Sequence, residues 1–267
     1  VGEPLGEVDF HIGDLLDLFF FGHKRNSPLY AARSTRAAVI YNVLGNFYIL
    51  CNRPPFVKRA RRSKQLLGDK NADEHGDHAG RMNEFLDYGV DCLASSGTIS
   101  SLSFTSKRLP LMIEEGVTVM AGAFSIVPFK IAHDANEPLG FLIDHPDTGP
   151  ILFATDTYML YYRFPNLRHV MIECNYDRSI LDRNVAEGRI NKSRRDRTLL
   201  SHMELGTCVT TLEANDLSGV DNIILLHLSD DNSDEVLFKE KVSEATQRPT
   251  FVAVPGLDIN LTRPWSR

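Results

Sequence analysis

The chain has 267 residues, of which 43% are hydrophobic and 24% are charged, and its formal net charge is -6. This length and composition allow a sizeable buried core in one large domain or two small ones, and the acidic balance excludes a protein coated in basic residues. The longest apolar run, at residues 15–21, is too short to span a bilayer and carries Asp17, so no membrane anchor is expected.

The sequence predicts a cytosolic protein without disulfides. Its first residues lack a basic segment and a small-residue cleavage site, which disfavours a secretory signal. The cysteines are widely spaced and form no Cys-x-x-Cys pair, so we interpret them as buried apolar residues. They are Cys51, Cys92, Cys174 and Cys208.

The domain boundaries follow from where regular patterns begin and end. Residues 1–35 match no clear helix or strand pattern and are interpreted as an extension. This extension could be a dimerisation arm, a lid or a poorly ordered tail. Residues 36–260 form the predicted domain, and residues 261–267 form a tail. The domain begins with two apolar runs, at 37–41 and 47–50, which predict a β-hairpin with Gly45 in its turn.

The segment at residues 73–78 concentrates metal-binding side chains between the predicted hairpin and a predicted helix at 79–89. It contains Asp73, His75, Asp77 and His78. Two imidazoles and two carboxylates at this density suit a divalent cation held by mixed nitrogen and oxygen ligands. The alternative is a solvated acidic turn that happens to contain histidines.

Later predicted strands end in further polar side chains. The strands are expected at residues 116–120, 124–129, 138–143, 150–154 and 168–175. His133 and Asp156 follow two of them, where metal ligands are held rigidly and open to solvent, although a capped surface histidine and a turn-capping aspartate are the alternatives. Glu173 and Asn175 are expected either at the rim of the site or hydrogen-bonded behind it.

The last third predicts helices alternating with strands. Residues 179–200 have helical features, and Ser201 with Glu204 fits a capping box before a helix at 203–214, which makes His202 a helix N-terminal residue. An apolar strand then ends at His227, followed by a helix at 233–246 and a strand at 250–254. This alternation predicts an α/β fold, an αβ/βα sandwich of two mixed β-sheets flanked by helices.

Two basic clusters interrupt the acidic surface. One contains Lys58, Arg59, Arg61, Arg62 and Lys64, and the other contains Lys192, Arg194, Arg195 and Arg197. Charge runs of this kind are either solvated surfaces or contacts for a phosphate-bearing partner, so nucleic acid is a predicted but open partner.

The order of these motifs resembles the metallo-β-lactamase fold superfamily. The matching stretches are 73–78, 133–141, 153–157 and 226–233, and they are most similar to phage and bacterial single-domain hydrolases of that superfamily, a branch that includes DNA exonucleases. The resemblance covers roughly residues 36–260 and implies the metallo-β-lactamase fold.

The resemblance also implies a ligand set for two zinc ions per chain. One site would use Asp73, His75 and His133, the second would use Asp77, His78 and His227, and Asp156 would bridge them. The family normally has histidine where this chain has Asp73. A carboxylate changes both charge and donor softness, so the first site is expected to be weaker or to prefer manganese or magnesium.

The implied activity is metal-dependent hydrolysis by a metal-bound hydroxide, with phosphodiester bonds of nucleic acid as the expected substrate. Asp77 or Asp156 would orient the water, and His202 would donate a proton or contact a phosphate. Two alternatives remain. One is a hydrolase of small esters, lactones or thioesters, and the other is a non-catalytic binding protein whose metal site has decayed.

Overall fold

The structure is a computed structural model that describes residues 38–43, 46–51, 82–89, 91–254 and 257–262. The predicted extension at 1–35, the motif at 73–78 and the first basic cluster lie outside these ranges, so those predictions stay predictions. The second basic cluster and the predicted residues from His133 onward lie inside them.

A small sheet contains four strands in the order β1-β2-β3-β4. They are β1 (Ala38–Val43), β2 (Asn46–Cys51), β3 (Asp91–Ala94) and β4 (Leu111–Met112). The antiparallel pairing of β1 with β2 confirms the predicted hairpin. Helix α1 (Met82–Asp87) contacts β3, and α2 (Ser96–Ser101) begins after Ser95, whose hydroxyl accepts a hydrogen bond from Thr98 N–H.

A large mixed sheet contains seven strands in the order β11-β10-β9-β8-β7-β6-β5. They are β5 (Val119–Ala121), β6 (Phe124–Lys130), β7 (Leu139–Asp144), β8 (Ile151–Ala154), β9 (His169–Glu173), β10 (Asn222–Leu226) and β11 (Thr250–Val252). The strands from β5 to β8 pair antiparallel, whereas those from β8 to β11 pair parallel. Parallel pairing brings the carboxyl ends of β8, β9 and β10 to one edge of the sheet.

Four helices lie in the described part of the second half of the chain. They are α3 (Arg178–Ala186), α4 (Lys192–Ser201), α5 (Leu205–Glu213) and α6 (Glu235–Thr246). The predicted capping role of Ser201 is wrong. Ser201 is the last residue of α4, and Glu204 caps α5 by accepting a hydrogen bond from Thr207 N–H at 3.1 Å. His202 therefore lies in an extended link between two helices.

One hydrophobic core joins the two sheets. Leu93 of β3 and Ile113 after β4 belong to the same buried cluster as Phe141 and Phe153 of the large sheet. Complete burial of a side chain of this size contributes about 1.5–3 kcal/mol. Two mixed sheets over a shared core with flanking helices confirm the predicted fold class.

Two smaller expectations can also be compared with the structure. Cys92, Cys174 and Cys208 are buried, as predicted. Among the described helices, none is long and apolar enough to cross a membrane.

Candidate active site

Three parallel strands deliver polar side chains to the same edge of the large sheet. Asp156 lies two residues beyond β8, Glu173 is the last residue of β9, and His227 immediately follows β10. Glu173 is paired in register with Leu226, the residue before His227. Strand geometry alone therefore brings the three side chains together.

The backbone at two of these residues is strained. Asp156 has φ = 51° and His227 has φ = 58°, in the left-handed region that non-glycine residues rarely adopt. Each such residue costs about 1–3 kcal/mol, and such residues cluster at functional sites. Asn175 stabilises the turn at His227, because its side-chain amide donates to the His227 carbonyl oxygen at 2.6 Å.

Glu173 is the centre of the site. Its side chain is completely buried, and its Oε2 accepts a hydrogen bond from Thr157 N–H at 2.5 Å. Its Oε1 lies 2.8 Å from Nδ1 of His202 and 2.9 Å from Nδ1 of His227. An ionised carboxylate can only accept, so Nδ1 donates in both imidazoles and Nε2 is left for a cation or a substrate.

The pKa values of this cluster follow from its burial and charges. Burial raises the pKa of Glu173, but the charge of His202 and the hydrogen bonds from His202 and His227 outweigh it and lower this pKa to about 2. Burial lowers the pKa of His227, but Asp156 and Glu173 outweigh it and raise this pKa to about 9. The His227 side chain remains 44% exposed, so a cation can reach it and compete for its proton.

A third imidazole extends the cluster. The Nδ1 atom of His133 donates to the Ser201 carbonyl oxygen at 3.0 Å, while its Nε2 lies 3.2 Å from a carboxylate oxygen of Asp134. The ring centroids of His133 and His202 are 5.7 Å apart, and those of His202 and His227 are 5.0 Å apart. The structure thus brings four predicted residues together, namely His133, Asp156, His202 and His227.

Within the described ranges, one group of side chains has a geometry that can hold a metal ion. Asp156, Glu173, His202 and His227 each offer one ligand atom, and these atoms lie within 4.8 Å of one another. Carboxylates and imidazoles suit zinc or manganese, so the residues present fit a divalent cation. Glu173, which accepts from both Nδ1 atoms, would orient the imidazoles, and the Nε2 atoms and Asp156 would be left to hold the cation. The proposed ligands Asp73, His75, Asp77 and His78 lie outside the described residues.

The largest addition from the structure is the position of Glu173. The sequence left open whether Glu173 lies at the rim or is hydrogen-bonded behind the ligands, and the structure has the second arrangement, with two imidazoles hydrogen-bonded to it at once. The feature that could have indicated this role of Glu173 is an acidic residue at the end of β9, a strand in which every residue is buried. A charged group is seldom buried in that way unless it is paired.

The basic cluster at residues 192–197 belongs to helix α4, which ends next to His202. Arg197 lies 3.5 Å from Asp134, the neighbour of His133, and Arg194 lies 3.7 Å from Asp231 in the loop that follows His227. The two arginines are therefore near the loops that carry the imidazoles, and α4 supplies positive charge beside the site.

Comparisons with known proteins yield structural similarity only. No protein-family model and no curated protein sequence matches this chain. The chain is similar to the metallo-β-lactamase fold protein YhfI from Bacillus subtilis, with 12% identity, a TM-score of 0.43, and coverage of 61% of this chain and 60% of YhfI. It is also similar to Igni18, a metallo hydrolase from the archaeon Ignicoccus hospitalis, with 16% identity, a TM-score of 0.48, and coverage of 69% and 75%.

A third similar structure is CmlA, a diiron β-hydroxylase from Streptomyces venezuelae, with 14% identity and a TM-score of 0.40 over 63% of this chain and 36% of CmlA. The superfamily that the motifs resemble therefore also occurs among structures similar to this chain. Each of these TM-scores is below 0.5, so the similarity carries no information about the function of this chain.

Proposed function

We propose that this protein is a metal-dependent hydrolase that cleaves phosphodiester bonds in nucleic acid. The observation that carries the proposal is the buried carboxylate of Glu173, which holds the Nδ1 atoms of His202 and His227 at 2.8 and 2.9 Å. This arrangement leaves the Nε2 atom of each ring on the side away from Glu173, and Asp156 lies 3.2 Å from Nδ1 of His227.

Several residues are suited to hold a cation there. His227 would offer its Nε2, and the carboxylate of Asp156, which lies 3.2 Å from Nδ1 of the same ring, would offer an oxygen. The Nε2 atom of His133, which lies 3.2 Å from Asp134, is a third candidate nitrogen. A bound divalent cation would supply a Lewis acid that lowers the pKa of water and polarises a phosphoryl oxygen. Two zinc ions, with Asp73, His75, Asp77 and His78 as further ligands and Asp77 or Asp156 orienting the water, remain part of this proposal.

His202 is suited to donate a proton to the leaving group. Its Nδ1 donates a hydrogen bond to Glu173, and this contact fixes the orientation of the ring. Nε2 lies on the side of the ring away from Glu173, so in a protonated ring its N–H can donate to a leaving group. The extended link between α4 and α5 places this imidazole beside His227 rather than within a helix.

The preference for phosphodiesters rests on charge. Arg194 and Arg197 of α4 have side chains that are 62% and 45% exposed, and both lie near the loops of the site. Arginine binds phosphate through several N–H groups at once, so these side chains are suited to a polyanionic strand. Helix α4 leads from these arginines directly to His202.

The test is cleavage of labelled oligonucleotides by the full chain with Zn²⁺, Mn²⁺ or Mg²⁺ added, beside the His202→Gln variant. We expect metal-dependent cleavage that falls by about 10²–10⁴-fold in the variant, the usual loss when a general acid is removed, while metal content is retained. A loss of metal in His202→Gln would instead make His202 a ligand.

The matched control is His145→Asn, because His145 follows β7 at the opposite edge of the large sheet. This variant should cleave normally. Hydrolysis of a simple ester without any cleavage of oligonucleotides would contradict the proposal and favour the small-molecule hydrolase. An absence of bound metal would favour the non-catalytic binding protein.

A further inference from the structure

A cluster of three tyrosines, two of them exposed, follows Asp156 and has no role in the proposed chemistry. We call Tyr158, Tyr161 and Tyr162 the tyrosine platform. Tyr161 is 64% exposed and Tyr162 is 39% exposed, and both are large rings that a folded protein normally covers at least in part. Their exposure beside a candidate active site indicates a binding surface.

The rings are held in place by specific contacts. The hydroxyl groups of Tyr158 and Tyr161 lie 3.0 Å apart, and the Tyr162 hydroxyl donates to Glu115 at 2.8 Å. The Tyr162 ring also packs edge-on against Phe129, with ring centroids 5.8 Å apart. Rings fixed at their hydroxyl ends lose little further conformational entropy when a ligand covers their faces.

The platform lies at the rim of the candidate active site. Tyr158 N–H donates to the Ala132 carbonyl oxygen at 3.0 Å, and Ala132 N–H donates to the Thr157 hydroxyl at 3.0 Å. Ala132 immediately precedes His133, and Thr157 immediately follows Asp156. The same two hydrogen bonds therefore join the platform to the segments that carry two proposed metal ligands.

Three cations lie next to residues of this rim along the chain or through ion pairs. Arg163 follows Tyr162 and is exposed, and Lys130 forms an exposed ion pair with Glu115, the partner of Tyr162. Arg197 pairs with Asp134 at 3.5 Å on the side of His133. Exposed ion pairs contribute little to stability, so a phosphate can replace the acidic partner at small cost.

We infer that the tyrosine platform stacks against unpaired bases, and that the substrate is single-stranded nucleic acid bound beside the scissile phosphate. Aromatic rings interleaved with cations are the usual surface for a single strand, because every base has a face that can stack and every nucleotide carries a phosphate. A duplex hides its base faces within the stack. The inference rests on the proposed function and specifies its substrate.

The experiment compares the wild-type chain with Tyr161→Ala and Tyr161→Phe on two substrates. One is a short labelled single strand, prepared as DNA and as RNA. Whichever of the two the wild type cleaves faster is used for the variants. The other is methyl p-nitrophenyl phosphate, a phosphodiester without a nucleobase. We expect Tyr161→Ala to reduce the ratio of kcat/KM on the strand to kcat/KM on the small ester by about 10-fold or more, through KM.

Tyr161→Phe keeps the ring and removes only the hydroxyl contact with Tyr158, so its ratio should stay within about threefold of wild type. Tyr88→Ala is the matched control, because Tyr88 is also an exposed tyrosine but follows α1, far along the chain from the platform. This control should leave the ratio at its wild-type value.

A strand with one abasic nucleotide separates stacking from a structural role. The abasic nucleotide is placed at each position of the strand in turn. At the position that stacks on Tyr161, it should raise the KM of wild type. At that same position it should leave the KM of Tyr161→Ala unchanged, because the ring and the base act as one pair. An unchanged ratio in Tyr161→Ala, or equal losses on both substrates, would overturn the inference. Failure of wild type to hydrolyse either substrate would instead overturn the proposed function.

Discussion

Replacing Glu173 by glutamine tests how the candidate site is organised. The substitution keeps the size of the side chain but exchanges one carboxylate oxygen for an NH₂ group. Thr157 N–H needs an acceptor, so the amide oxygen must stay where Oε2 lies now, 2.5 Å from that nitrogen. The NH₂ group then faces the Nδ1 atoms of His202 and His227, which currently donate to Glu173.

The consequence is a change of tautomer in both imidazoles. To accept from an NH₂ group, Nδ1 must lose its hydrogen, and the remaining hydrogen of the neutral ring moves to Nε2. An Nε2–H group cannot bind a cation, so His227 would lose its ligand atom. The opposite orientation of the amide places its NH₂ against Thr157 N–H, which leaves a buried donor unsatisfied at a cost of about 1–3 kcal/mol.

We therefore expect Glu173→Gln to lose about 10–100-fold in metal affinity, as is typical when the partner of a metal-binding histidine is removed. The loss in kcat/KM should be larger, because His202 is affected as well. Titration calorimetry with Zn²⁺ and Mn²⁺ measures the first quantity, and oligonucleotide cleavage measures the second.

Glu204→Gln is the matched control. Its carboxylate caps α5 through Thr207 N–H, and a glutamine oxygen can accept the same hydrogen bond. This variant should bind metal like wild type. If Glu173→Gln also bound metal and cleaved substrate like wild type, the imidazoles would not depend on Glu173 and the reasoning would be refuted.

Three further predictions concern metal, pH and packing. In thermal denaturation, Zn²⁺ should raise the melting temperature of wild type but not of His227→Ala, because binding to the folded site stabilises the folded state. Equal shifts in the two proteins would exclude His227 as a ligand. Burial lowers the pKa of His145 below its ordinary 6.5. As the pH falls below 6.5, this imidazole therefore binds a proton more readily in the unfolded chain than in the folded one, and the folded protein loses stability. His145→Asn keeps an acceptor for Asp147 N–H and should remove this part of the pH dependence of the unfolding free energy, measured by urea denaturation. An unchanged slope of unfolding free energy against pH would contradict this prediction. Gly140→Ala should lower the unfolding free energy by about 1–3 kcal/mol, because the new Cβ would lie 2.5 Å from the Phe129 ring; an unchanged urea midpoint would show that the ring yields freely.

The sequence by itself determined the fold class and the location of three candidate site residues. Apolar runs alternating with helical patterns indicate parallel strands, and the carboxyl ends of parallel strands share one edge. His133, Asp156 and His227 each follow a strand or lie close beyond one, so their convergence could be expected from the sequence. The density of ligands at 73–78 is likewise a sequence property, and its place in the site stays a prediction.

Only the tertiary structure decided what joins these residues. Glu173 lies at the end of an apolar strand, and nothing local distinguishes a rim carboxylate from one that holds two imidazoles. That role requires the parallel register of Glu173 with Leu226 and the link from α4 to α5 that brings His202 back to the sheet. The capping pattern at Ser201 and Glu204 was also misleading. The same local pattern occurs at the start of a single helix and at a junction where one helix ends and the next begins. Contacts between distant segments decide between such alternatives, and a sequence pattern does not contain them.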